Sequence, residues 1–281
     1  MFPVNITGED LIKARNKLDF AKKNWQLLDD GEVFKTHSSL LQPVIYKGIK
    51  AVLKIPVSAE ECRGSALMVC WNGNGSVQVL QYDENALLME RAVGTRSLKQ
   101  MVIEGYEDEA NRIICSVAAK LHAVKCRRIA ELIPLPVWFN ALKPAADKYG
   151  GILIRCKEAA NQLLNTPVET VVLHGDIHYE NILDSGSSGW VAIDPKGLIG
   201  ESGFDFANIF CNPNMEIATS PERLSRQVKL IADEAALDPK RLLNWIIAWA
   251  GLSAAWTLND GENAELQLTV AKIAINELNN F

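Results

Sequence analysis

The sequence predicts an α+β chain in two lobes, a small antiparallel β-sheet lobe followed by a mainly helical one. Three observations predict it. Strand-like apolar stretches crowd in before Glu90, helical periodicity governs most of the chain beyond Gly94, and one short strand-bearing island, VVLHGDIHYENILDSGSSGWVAIDP, interrupts the helices. The lobe junction falls near residues 90–94, dividing the chain into an N-lobe of residues 1–91 and a C-lobe of residues 92–281.

Each element arises from local pattern. Residues 8–27 carry Leu11, Ile12, Ala14, Leu18 and Ala21 at helical spacing. EVFKTHSSLLQPVIYKG and IKAVLKIPV then read as two or three antiparallel strands, with Lys47-Gly48 as a turn. Ser58 caps a helix running toward Cys70, with Glu61 three residues on to complete a capping box. WNGNG makes a hairpin turn before the strands SVQVLQY and NALLMERAV. Beyond Gly94, residues 97–104, 108–124 and 145–164 are helical, as is the chain from Ser220 to the end. The apolar run of residues 245–258 falls short of the roughly 20 residues that span a bilayer and reads as a buried helix.

Bulk composition narrows the function classes. A net charge of −5, from 34 acidic and 29 basic side chains, argues against a nucleic-acid binder and is compatible with a cationic small-molecule partner. The N-terminus lacks the basic-then-apolar order of a signal peptide, and no membrane partner is expected. Six cysteines with no C-x-x-C pair read as reduced thiols in a cytoplasmic protein.

The island carries the chemistry of phosphoryl transfer. That reaction needs a group to orient the acceptor hydroxyl and receive its proton, hard oxygen ligands for Mg²⁺, and a lysine on the phosphates. His174-Gly175-Asp176 is followed five residues later by Asn181, then by Asp194 in the apolar context VAIDP. Asp176 is the candidate catalytic group, and Asn181 and Asp194 are the candidate metal ligands. The alternative for Asp176 is a loop aspartate satisfied by backbone amides, and for Asp194 a turn residue before Pro195. Lys54 stands on a strand with apolar neighbours, where a lysine is costly unless it meets anions. Glu61 is its candidate partner, with Glu60 in reserve. The alternative is a lysine that snorkels to solvent, with Lys50 as the competitor.

H-G-D-x-x-x-x-N followed by I-D-P resembles the aminoglycoside phosphotransferase and choline kinase superfamily, a variant of the protein-kinase catalytic loop with Gly175 in place of Arg. IDPKGLIGESGFDFAN, GLSAAWTLNDGE, WNGNGSVQVL and THSSLL are similar to the branch of streptomycin 6-kinases and hydroxyurea-resistance kinases. The resemblance spans residues 33–261 and implies a bilobal protein-kinase-like fold, ATP and Mg²⁺ as cofactors, and a small, cationic acceptor. It implies that the turn holding Thr36, His37, Ser38 and Ser39 replaces a Gly-rich loop over the phosphates, and that the adenine meets the backbone near Glu90 and Ala92. By analogy with related loops, His174 packs the catalytic loop, and Asp205 anchors it by hydrogen bonds.

On the acceptor side the candidates are His178, Lys196, Glu201 and Trp256. Lys196 either neutralises phosphate charge or is exposed; Glu201 is the candidate for a cationic acceptor. Trp249 and Trp256 lie seven apart on one helix face, as a platform for a sugar or guanidinium group or as core packing. His122 reads as a core helix histidine. The leading expectation is a kinase for a streptomycin-like aminoglycoside. The others are a kinase for hydroxyurea or another small hydroxylated molecule, and a nucleotide-binding pseudokinase.

Overall fold

The computed structural model describes residues 8–36, 38–126 and 132–280, so His37 lies outside the described residues. Helix α1 (Gly8–Trp25) leads through β1 (Leu28–Asp29) and β2 (Phe34–Lys35) to the long hairpin β3 (Ser39–Tyr46) and β4 (Ile49–Pro56). Helix α2 (Ala59–Trp71) follows, then β5 (Val79–Tyr82) and β6 (Leu87–Glu90). The sheet runs β1-β3-β4-β6-β5, with β2 also on β3, and every pairing is antiparallel.

Alternation along β4 sets the two faces of this sheet. Ala51, Leu53 and Ile55 turn into a core with Leu18 and Ala14 of α1, while Val52 and Lys54 face a cleft on the other side. Ser58 caps α2 by accepting from Glu61 N at 3.2 Å. The capping box is only half realised, because the Glu61 carboxylate turns to Lys54 instead. WNGNG is a helix-to-strand turn rather than a hairpin turn: Asn72 ends α2 in the left-handed region.

After β6 the chain enters α3 (Leu98–Ile103) and α4 (Glu107–Ala123), then β7 (Ile133–Pro134), α5 (Leu135–Trp138) and a 3₁₀ turn at Phe139–Ala141. The single helix expected over residues 145–164 is two, α6 (Leu142–Tyr149) and α7 (Ile152–Asn165), because Gly150 and Gly151 both take positive φ. The island supplies β8 (Val171–Leu173), β9 (Ile182–Asp184), β10 (Trp190–Ala192) and β11 (Leu198–Gly200). β9 and β10 form a hairpin, and β11 lies between β7 and β8. A 3₁₀ segment, Ser202–Cys211, precedes α8 (Met215–Ala218), α9 (Pro221–Glu234), α10 (Pro239–Asn259) and α11 (Glu265–Asn279). Helix α10 is apolar on nearly every side and is the axis of the helical part, packing on α11, α7 and the 3₁₀ segment.

One expectation about cysteine is corrected. Cys70, near the end of α2, is disulfide-bonded to Cys126, just past α4, with Cα atoms 5.9 Å apart. Packing of α2 against the helical part brings together two residues that local sequence holds 56 positions apart. Cys62, Cys115, Cys156 and Cys211 are free. Among the described residues, no helix is long and apolar enough to cross a membrane.

Candidate active site

The loop between β8 and β9 carries Asp176 and Asn181, and the chain leaving β10 carries Asp194, so the strands of the island deliver all three to one mouth. Gly175 takes φ +83, and a Cβ there would stand 2.8 Å from Leu198 Cδ1 and 3.1 Å from Lys196 Cβ. An arginine at that position has neither the backbone freedom nor the room. Asp194 itself adopts φ 62, a conformation side-chain-bearing residues rarely hold.

Asp205 holds the loop from behind. Its Oδ1 accepts from Gly175 N at 2.7 Å, and its Oδ2 accepts from His174 N at 2.9 Å and lies 2.8 Å from His122 Nε2. His174 is fully buried and stacks on Trp71. Its Nδ1 accepts from Asp176 N, and its Nε2 donates to Ile193 O at 2.8 Å, tying the loop that bears Asp176 to the strand that leads to Asp194. Burial pushes its pKa down against the pull of Asp205 and Asp176.

Asp176 Oδ1 accepts from Asn208 Nδ2 at 2.9 Å, and Asn208 Oδ1 in turn accepts from Trp249 Nε1 at 3.1 Å. Asn181 Nδ2 donates to Asp176 O at 2.9 Å. With the amide nitrogen so committed, the Asn181 carbonyl oxygen is the end left to meet a cation. Asp194 has Oδ1 on Lys54 at 2.5 Å and keeps Oδ2. These are two hard oxygen donors on one cleft, a set suited to a divalent ion that takes its remaining ligands from phosphates and water. Among the described residues no group of three or more His, Cys, Asp or Glu side chains forms a metal cage by itself.

Two lysines stand among the acids. Lys54 is buried, 2.5 Å from both Glu61 Oε2 and Asp194 Oδ1. Burial disfavours its charge, but Asp194 and Glu61 outweigh that and raise its pKa. Burial likewise works against the Asp194 carboxylate, yet Lys54 and Lys196 bring its pKa down to about 2. Lys196 is 5 % exposed, with Nζ 3.6 Å from Glu60 Oε1, 3.6 Å from Asp176 Oδ2 and 3.7 Å from Asp194 Oδ2. It too overcomes burial through its acidic neighbours, Asp176 and Asp194 foremost, and its pKa is raised. Glu60, the reserve partner for Lys54, serves Lys196 instead.

Two cavities meet at this cluster. One, of about 380 Å³, lies against the sheet and is walled by Val52, Val77, Met89, Leu183 and Ile193, with Lys54, Asn181 and Asp194 at its polar end and Glu90 and Ala92 along its rim. The other, of about 280 Å³, opens on Asp176 and Lys196 and is lined by Trp138, Trp249, Trp256, Asp260 and Glu262.

Several expected residues sit elsewhere. The Ser38 hydroxyl donates to Glu61 Oε1 at 2.5 Å, and Ser39 is buried at the start of β3, paired with Pro56; neither lines the first cavity, whereas Thr36 does. The expectation for Glu201 is corrected: it is buried and saturated by Arg241, at 2.5 Å, and by Trp245 Nε1, at 2.8 Å, leaving nothing for a substrate. His178 is half-buried, accepts from Glu180 N, and does not line the second cavity. Asn208, Trp138, Asp260 and Glu262 line the second cavity without having been singled out by sequence pattern. For Asn208 the signal was its place in GFDFAN, for Asp260 and Glu262 their place in NDGE; Trp138 gave none.

A family model described as aminoglycoside/hydroxyurea antibiotic resistance kinase matches residues 24–261. Streptomycin 3''-kinase of Klebsiella pneumoniae is 44% identical over 244 residues, 85% of this chain and 91% of that protein. Streptomycin 6-kinase of Streptomyces griseus is 30% identical over 267 residues, 90% and 85% respectively. Among solved structures, a thermostable mutant of aminoglycoside phosphotransferase APH(4)-Ia, in ternary complex with AMP-PNP and hygromycin B, aligns with TM-score 0.63 at 15% identity over 92% of this chain and 98% of that one, which shows the shared fold.

Proposed function

The chain belongs to the aminoglycoside/hydroxyurea antibiotic resistance kinases, and from that premise we propose that it transfers the γ-phosphoryl group of ATP to a hydroxyl of a streptomycin-type aminoglycoside. One observation carries the choice of acceptor. The cavity at Asp176 is walled by three indole rings and rimmed by Asp260 and Glu262, an aromatic and acidic lining suited to a polycationic sugar. A small uncharged acceptor such as hydroxyurea has no use for that lining. The 3''-hydroxyl is the assigned position, because the relative named for it shares 44% identity against 30% for the 6-kinase.

The residues divide the work. The apolar walls of the larger cavity sandwich the adenine, and the backbone at Glu90 and Ala92 reads its edge. Lys54, steadied by Glu61, holds the phosphates. Asn181 and Asp194 would hold Mg²⁺, which would supply positive charge to offset that of the phosphates. Asp176, aimed by Asn208, orients the acceptor hydroxyl and receives its proton. Lys196 offsets negative charge where the phosphoryl group passes. The lobe boundary at residues 91 and 92 is part of this proposal, supported by β6 ending at Glu90 and α3 beginning at Leu98.

The test is ATP consumption by the purified protein with Mg²⁺ across streptomycin, other aminoglycosides and hydroxyurea. Streptomycin is expected to stimulate turnover and to yield a 3''-phosphate by NMR. Stimulation by hydroxyurea alone, or by none of these, overturns the proposal.

A further inference from the structure

We propose that Arg223 is a positioning residue for the transfer: with Glu107 and Tyr179 it fixes, from one buried cluster, both segments between which the Asp176–Asn208 hydrogen bond is made. The inference rests on the reading of Asp176 as the group that receives the acceptor proton.

Local sequence puts Arg223 in the first turn of α9. Ser220 caps the helix, accepting from Arg223 N at 3.2 Å, and Pro221 opens it. A cation there meets the positive end of the helix dipole, so it needs anionic or carbonyl partners close by. Arg223, Glu107 and Tyr179 are all buried. Arg223 Nε donates to Glu107 Oε1 at 2.7 Å, and the same oxygen accepts from the Tyr179 hydroxyl at 3.1 Å. Arg226 reaches the other oxygen, Glu107 Oε2, at 3.4 Å.

The remaining donors of Arg223 tie this cluster to Asn208. Nη2 donates to Asn212 O at 2.9 Å and to Ile209 O at 3.3 Å, and Nη1 donates to Phe210 O at 3.3 Å. These carbonyls lie at the end of the 3₁₀ segment that carries Asn208, where a helical backbone leaves acceptors without partners of its own. Asn212 Nδ2 in turn donates to Asn208 O at 3.0 Å and to Asn208 Oδ1 at 3.3 Å. The side chain that bonds Asp176 Oδ1 is thus held one residue away from Arg223.

Tyr179 ties the cluster to the other partner. It lies between Asp176 and Asn181 on the loop after β8, and Arg223 Nη2 stands 3.4 Å from its hydroxyl. Burial raises the pKa of that hydroxyl, which keeps it protonated as a donor to Glu107. Its turn is closed by Asn181 N, which donates to His178 O at 3.0 Å. One guanidinium therefore holds the loop of Asp176 and the segment of Asn208, anchored by Glu107 of α4. A misplacement of about 1 Å at a reacting group can cost on the order of 10²-fold in rate, so this cluster reaches kcat without touching substrate. A lysine could meet Glu107 but could not span the three carbonyls as well.

The experiment compares wild type with Tyr179→Phe, Arg223→Lys, Asn208→Ala and each of the first two combined with Asn208→Ala, using ATP and streptomycin, with thermal unfolding followed alongside. Tyr179→Phe keeps the buried ring, and Arg223→Lys keeps the buried charge. In the folded variants kcat should fall about threefold or more for Tyr179→Phe and about tenfold or more for Arg223→Lys, with both KM values within about twofold. Each double variant should lie within about twofold of its slower single variant, because the bond that Arg223 sets is already gone in Asn208→Ala. A purely structural cation would not give that coupling. Losses that multiply in the double variants, or kcat near wild type in folded Arg223→Lys, overturn the inference alone. If Arg223→Lys does not fold, Tyr179→Phe and its double variant decide by the same criteria. Absence of streptomycin turnover by wild type, or near-normal turnover in Asp176→Ala, overturns the reading beneath and the inference with it.

Discussion

Lys196 Nζ lies 3.6 Å from Asp176 Oδ2, so the group assigned to the acceptor proton has a buried ammonium at its side. The same nitrogen is 3.7 Å from Asp194 Oδ2, and one cation thereby spans the carboxylates proposed for the acceptor proton and for the metal. Lys196→Met should lower kcat by about 10²–10³-fold, because a preorganised charge at the transferring group is lost. Steady-state kinetics check this, and a kcat near wild type would remove Lys196 from the chemistry.

Asp176 and Asn208 should separate a reacting group from the group that aims it. Asp176→Ala is expected to cut kcat at least ~10³-fold with ATP affinity nearly intact. Asn208→Ala leaves the carboxylate but frees its Oδ1 and Trp249 Nε1, and a loss of about tenfold in kcat is expected. Equal losses in the two variants would contradict this division.

Nucleotide binding should depend on Mg²⁺ through Asp194. Chelation with EDTA is expected to weaken ATP binding to wild type in a titration, and Asp194→Ala should respond little to the metal. A variant whose affinity rises with Mg²⁺ as steeply as wild type would place the ion elsewhere.

Glu201 should matter for stability and not for substrate. Glu201 is buried but Arg241 is only part-buried, and losing a charged hydrogen-bond partner there costs about 1–3 kcal/mol, so Glu201→Ala is expected to unfold at lower denaturant concentration. KM for streptomycin in the folded variant should match wild type. A raised KM with normal stability would return Glu201 to the acceptor site.

Asp184 gives a pH signature at the junction between sheet and helices. Arg96 donates to it through Nε at 2.8 Å and Nη2 at 3.1 Å, and Gly94 N donates to its backbone carbonyl at 2.9 Å. The Arg96 hydrogen bonds foremost, then those from Gly186 and Arg96 backbone amides, hold its pKa down at about 2 against its burial. A depressed carboxylate pKa stabilises the fold above the unfolded value of about 3.9. That contribution fades as pH falls through the folded value. Asp184→Asn should therefore lower the melting temperature at pH 7, and the gap to wild type should close between about pH 4 and pH 2. A gap that persists at the acid end would refute the assignment.

The sequence by itself determined the two-lobe α+β architecture and the phosphoryl-transfer chemistry. Both are written in short-range order: the periods of 2 and 3.6 that sort strands from helices, and a loop that places Asp176 and Asn181 five residues apart on one turn. The strand pattern around Lys54 likewise marked a costly buried cation, and the structure supplies its anions. Tertiary structure alone decided which charges answer one another. Arg241 claims Glu201 across 40 residues, Arg96 claims Asp184 across 88, and Cys126 meets Cys70 across 56. It also decided that Asn208, Trp138 and Asp260 line the cavity at Asp176 while Ser39 and Glu201 turn inward. The physical reason is range: local patterns arise from backbone geometry within a few residues, whereas the pairing of buried charges depends on where the packing of whole elements leaves them out of reach of water.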